Sequence, residues 1–199
     1  MTRQELKARA KEQIKGNIGQ FFLISLVANL IAFALALIPI IGGIASVVVS
    51  AAISLAIHII YMNLCGGSIR PSVGALFDNS TDCWSATKLY LLQGLYVFLW
   101  SLLLIIPGII KAFAYSQAFY ILGENPGMSA NEALHLSDAM MKGHKMEYFI
   151  LELSFYGWVL LTALTLGIAG IWVGPYMNAT LTNYYLRLKT TNGAMEYSR

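Results

Sequence analysis

The sequence predicts an all-α polytopic membrane protein in which six transmembrane helices form three hairpins, each preceded by a cytoplasmic amphipathic helix. Three observations lead there. Of the 199 residues 57% are hydrophobic and 12% charged, which leaves too little polar surface for a water-soluble fold. Six stretches approach the roughly 20 apolar residues that one crossing needs. All of the 13 Lys and Arg residues except Lys111 fall in four segments, 1–19, 65–88, 124–147 and 187–199. Positive charge marks the cytoplasmic side, so both termini are expected inside the cell membrane, joined by an even number of crossings.

The chain reads as one membrane domain over 1–199. An amphipathic arm (1–16) leads to a first hairpin (17–65), and an inner helix plus a second hairpin occupies 71–123. A further inner helix with a third hairpin occupies 129–189, and 190–199 is a tail. The arm opens with Thr2-x-x-Glu5, a capping box, in which hydroxyl and carboxylate satisfy free amides at a helix start. Leu6, Ala10 and Ile14 recur every fourth residue beside Lys7, Lys11 and Lys15, the pattern of a helix in the headgroup plane whose lysines meet anionic lipid. About twenty polar and charged residues precede the first apolar run, which argues against a cleavable signal peptide.

The predicted spans are Ile18–Ile38, Ile44–Leu64, Leu89–Ile106, Ile109–Leu122, Tyr148–Leu166 and Ile171–Leu186. Lipid offers no partner to backbone amides, and continuous apolar runs choose helices over alternating strands. The fourth span is short unless it borrows flanking residues. Outer connections are expected at Ile38–Gly43, Ile106-Pro107-Gly108 and Leu166–Gly170, where Pro and Gly interrupt the helix. Pro71 can start a short inner helix through Phe77. Ser129-x-x-Glu132 is a second capping box, starting a helix with Ala133, Leu136, Met140 and Met141 on its apolar side, ended by Gly143. Lys15-Gly16 and Lys142-Gly143 each precede an aromatic-rich run, and the same offset carries Gly43 onto Gly170. The chain therefore reads as three units of inner helix plus hairpin.

Two charges fall within predicted spans, and such charges are functional hypotheses by default. Lys111 stands four residues beyond Pro107, so its stem is expected to snorkel back to outer water. Glu152 lies nearer the inner end, facing the bundle interior; at helical rise the two are roughly 16 Å apart, too far to pair unless one hairpin stops short. Gln117, Asn178 and His58 complete a candidate intramembrane polar site, read either as a polar path or as ordinary interhelical hydrogen bonding. Gly174-Pro175 is a candidate hinge or packing bend.

Phosphate loops, metalloprotease helices and nucleophile elbows are absent from the sequence. Glu132, His135 and Asp138 share a helix face, but one His with two carboxylates on a single helix reads better as a solvated face than as a metal site. Cys65 and Cys83 read as reduced thiols. No catalytic residue, cofactor, metal or nucleic-acid partner is expected.

Several blocks resemble a known family: Ile106-Pro107-Gly108-Ile109-Ile110-Lys111-Ala112, the run Tyr120–Ala130 with its Glu124-Asn125-Pro126-Gly127, Met140–Lys145, and Trp172-Val173-Gly174-Pro175-Tyr176. Together with Leu6-Lys7, Ala10-Lys11 and Lys15-Gly16-Asn17, these resemble DUF975, a bacterial multi-pass membrane protein family of unknown function. The stretch Asp78–Thr87 departs from its pattern. The resemblance implies a cell-membrane protein, commonly of Gram-positive bacteria, and carries no active site. The functional expectation is a non-enzymatic partner-binding or membrane-organising component, partnered by the bilayer and by another membrane protein or a second copy of the chain. The rival expectation is a small transporter or channel for an ion or small solute.

Overall fold

The computed structural model describes residues 2–36, 41–67, 71–77 and 83–192. The first outer connection (37–40), Arg70, part of the middle loop (78–82) and the tail from 193 onward lie outside the described residues. Regular structure is helical, with no strand among the described residues.

Helix α1 (Arg3–Ile14) starts at Thr2, whose hydroxyl accepts from the Glu5 amide at 3.3 Å while the Glu5 carboxylate accepts from the Thr2 amide at 2.9 Å. Gly16, at φ 86°, turns the chain, and α2 (Ile18–Ala36) leaves with a bend of 86° from α1. The apolar stripe of α1 does not lie on lipid as expected. Leu6, Ala10 and Ile14 are buried because α1 packs along the carboxy-terminal helix α10 (Gly170–Asn192). Gln13 fastens it there, donating to the Cys65 carbonyl at 3.1 Å and accepting from Asn183 at 2.6 Å.

Helix α3 (Ile41–Cys65) takes Gly42 and Gly43 into its first turn, so the glycines do not form the connection themselves. The inner helix expected from Pro71 is only a 3₁₀ turn, Val73–Phe77, which anchors the loop through buried Leu76. Helix α4 (Cys83–Leu103) begins six residues before the predicted span.

The second outer connection differs from expectation. Leu104 alone, extended at φ −163° and ψ 140°, separates α4 from α5 (Ile105–Ala114), and Pro107 and Gly108 lie inside α5. Pro107 falls in the first turn, where amides have no intrahelical acceptor and proline loses nothing. Gly108 is needed for contact: a Cβ there would collide with the Ser101 hydroxyl oxygen and stand 2.8 Å from the Ser101 Cα. After a break at 115–117 comes α6 (Ala118–Glu124), so the fourth predicted span borrows residues at both ends.

Ser129 and Glu132 form the second capping box, and α7 (Ala130–Met140) buries Ala130, Ala133, Leu134, Ser137 and Met140. Leu136, expected on that face, is only partly buried. Gly143 (φ 78°) turns the chain into α8 (Lys145–Leu153), followed by α9 (Tyr156–Leu164). The third connection is where the sequence puts it, with Leu166 at φ 51° and Gly167 at φ 92°. Helix α10 continues without a break through Gly174-Pro175.

Among the described residues three stretches, Ala45–Cys65, Ile105–Glu124 and Lys145–Leu164, are long and apolar enough to cross a membrane, or up to four if the bent pair of α1 and α2 is one span. Large apolar side chains such as Phe98, Leu102, Leu160 and Leu164 stay exposed on the helices, a surface suited to lipid and unlike that of soluble monomers.

Candidate functional site

The polar groups gather at two places, and neither is the set proposed from sequence. The first is the break between α5 and α6. A broken helix leaves an amide and a carbonyl unpaired, and in a buried site each costs free energy. The hydroxyl of Ser137 on α7 repairs both: it accepts from the Gln117 amide at 3.2 Å and donates to the Ala114 carbonyl at 2.7 Å. Gln117 is fully buried; its side-chain amide donates to the Ser116 hydroxyl at 2.7 Å, and its Oε1 has no partner. Glu152, on α8 and partly buried, is joined to Gln117 by no described hydrogen bond.

His58 and Asn178 belong elsewhere. His58 on α3 bonds the Ser54 carbonyl through Nδ1 at 2.6 Å and sets its ring 4.4 Å from that of Tyr120. Asn178 donates to the Gly174 carbonyl at 3.1 Å. Aromatic rings fill the space between the helices: Tyr120 stacks on Tyr185 at 4.9 Å, and Tyr148 lies 5.4 Å from Tyr184 and 5.9 Å from Phe113.

The second place is an ionic rim on the 124–147 segment. The Asp138 carboxylate takes Lys111 at 3.0 Å and Lys145 at 2.9 Å. Lys111 therefore does not snorkel to outer water. It turns toward α7, with the rings of Trp100 and Tyr115 5.7 and 5.3 Å from its ammonium. Because Lys145 opens α8, and Phe113 sits 5.8 Å from the Phe149 ring, α5 is level with the first turns of α8. Burial alone would raise the Asp138 carboxyl, but hydrogen bonds and charge from Lys145 and Lys111 outweigh it and hold the group below its ordinary range.

Glu124 accepts from Lys189 and from the Tyr185 hydroxyl, both at 2.8 Å, and Glu147 pairs with Arg187 at 2.7 Å. Glu132 is occupied by its cap, where Ser129 holds its carboxyl below the ordinary range. Glu132, His135 and Asp138 do not converge, and no group of three or more metal-binding side chains occurs among the described residues.

Of the three lysines expected on lipid headgroups, Lys7 turns inward, its ammonium 4.3 Å from the Phe155 ring. Burial first and Arg3 second push its pKa below the ordinary lysine range. Lys11 and Lys15 remain exposed. Sequence reasoning placed Ser116 among the polar groups of the spans but missed Ser137; the one available signal was a serine on the apolar side of α7.

Among curated proteins nothing matches the chain. Among solved structures nothing matches it either. Residues 82–192, more than half of the chain and including the α5–α6 break, the rim and α10, match the family described as protein of unknown function (DUF975), and the chain belongs to that family.

Proposed function

We propose that this chain is a six-span, non-enzymatic cell-membrane protein with both termini cytoplasmic, working as a partner-binding or membrane-organising component. In this reading the spans are α2, α3, α4, α5 with α6, α8 with α9, and α10, and the repeated unit is a capped helix, a left-handed glycine and a hairpin. The turns at Gly16 and Gly143, with φ of 86° and 78°, support the first and third units. The second hairpin is the shallow one, since Lys111 and Lys145 share one carboxylate.

The observation that carries the role is the attachment of α1 and α7. Both are capped and held to the bundle by buried apolar faces, while Arg3 and Arg9 of α1 and Asn131, Glu132 and His135 of α7 stay exposed. Together they make a fixed polar platform on the inner side, the kind of surface that holds a partner by charge. Removing residues 1–15 outright would strip Leu6, Ala10 and Ile14 from the core, so point changes are the better test. A photo-crosslinking side chain at Arg9 or His135 should give a discrete protein adduct in intact cells, weakened by Arg3→Gln with Glu132→Gln. A platform that captures nothing above background at either position removes the reading.

The unpartnered Oε1 of buried Gln117 favours a second reading, transport of an ion or small solute. Flux in proteoliposomes that Glu152→Gln abolishes would select it.

A further inference from the structure

A cavity of about 420 Å³ lies where α1 bends into α2, against α9 and α10. Its basic end is formed by Lys11, in the last turn of α1, and Lys15, which caps that helix, and its walls by Ile14, Trp158, Trp172 and Tyr176. No carboxylate lines it. The described salt bridges leave both lysines out, and both are exposed. Trp158 and Trp172 are 47% and 52% exposed, so the cavity opens sideways where lipid would stand. Its volume falls in the range of about 300–1,000 Å³ typical of small-molecule sites.

We infer that this cavity is a binding site for one anionic phospholipid, its headgroup on Lys11 and Lys15 and an acyl chain along Trp158, Trp172 and Tyr176. The combination is what an amphiphile of that charge requires. Two unpaired ammonium groups at one end supply the attraction for a phosphate, worth about fivefold in affinity for each lysine near the membrane surface. Two indoles and a phenol supply a wall that is apolar along its length yet tolerates the interface, where Trp and Tyr concentrate. Lys7, the third lysine of that stripe, is excluded because it faces Phe155. The inference rests on the proposed membrane insertion and not on the partner-binding role.

The test uses the full chain in vesicles, with Trp84→Phe and Trp100→Phe leaving Trp158 and Trp172 as the fluorophores. Phospholipids brominated on the acyl chain quench tryptophan on contact, so phosphatidylglycerol and phosphatidylcholine can be titrated against each other. Phosphatidylglycerol should quench at a several-fold lower mole fraction. Lys11→Gln with Lys15→Gln should bring the two lipids within about twofold, arginine at both positions should restore the preference, and Lys142→Gln, on the exposed turn after α7, should leave it unchanged. Equal quenching by both lipids in the unsubstituted chain, which is ordinary annular lipid, overturns the proposal, as does a preference that survives loss of both lysines. Quenching by neither lipid in chain that floats with the vesicles means that a second copy or another protein covers the cavity, and also overturns it. A chain that does not float overturns the insertion itself.

Discussion

Replacing Ser137 with alanine removes one oxygen and leaves two backbone groups without partners. The hydroxyl is fully buried, accepts from Gln117 at 3.2 Å and donates to the Ala114 carbonyl at 2.7 Å. An unsatisfied buried donor or acceptor costs about 1–3 kcal/mol in a water-soluble core, whereas interhelical hydrogen bonds inside bilayers average about 0.6 kcal/mol. Two such groups therefore cost about 1.2 kcal/mol at the least. Alanine returns about 0.5 kcal/mol as the better helix former, and the expected net loss is about 0.7 kcal/mol at the least, rising to about 5 kcal/mol if both groups cost what they do in a water-soluble core. Reversible unfolding in mixed detergent and dodecyl sulfate micelles, followed by tryptophan fluorescence, would measure it. Thr162→Ala serves as the control, since that exposed hydroxyl bonds only a carbonyl of its own helix, Trp158, at 2.9 Å, and it should stay within about 0.5 kcal/mol of the parent. If Ser137→Ala were as stable as the control, the hydroxyl would not be holding the α5–α6 break together and the argument would fail.

Gly108→Ala should destabilise by about 1–3 kcal/mol through overpacking, and Ser101→Ala should not rescue it, because the Ser101 Cα itself stands 2.8 Å from the added methyl; full rescue by that second change would refute the close approach. Asp138→Asn should cost about 0.5–1 kcal/mol, as expected for partly exposed ion pairs. The Asp138 carboxyl is held below its ordinary range, so its contribution is present above the ordinary aspartate value near 4 and is lost as pH falls through the depressed folded value. The stability gap between Asp138→Asn and the parent should be flat from about pH 5 to 8 and close only below about pH 4; a gap that changes near neutrality would refute the assignment. Single cysteines at Leu166, which is 94% exposed in the third connection, and at Asn131 should label from opposite sides of the membrane. A cysteine at Leu104 should label poorly from outside if the second hairpin is shallow; labelling of Leu104 equal to Leu166 would show that hairpin reaching the outer surface.

Both helix starts could be read directly from residues three apart, Thr2 with Glu5 and Ser129 with Glu132, because a capping box is satisfied within four residues of chain. Gly16 and Gly143 were legible for the same local reason. The outer end of α4 was not: Pro107-Gly108 looks like a break in any apolar run, but proline in a first helical turn has no amide to miss, and the break falls on Leu104. The fate of α1 was equally out of reach. A stripe of Leu6, Ala10 and Ile14 suits lipid or protein alike, and only the neighbouring α10 decides between them.

By itself the sequence determined what depends on composition and near neighbours: helices throughout, two capping boxes, apolar lengths suited to a bilayer and membership of the family. The tertiary structure alone decided that Lys111 meets Asp138, 27 residues away, that Ser137 mends a break 20 residues earlier, and that Lys11 and Lys15 face two tryptophans across a cavity. The reason is physical. Capping and span length are fixed by hydrogen bonds and transfer free energies within a few residues, whereas the partner of a charge or of a broken backbone depends on how helices lean on one another, which local propensity does not encode.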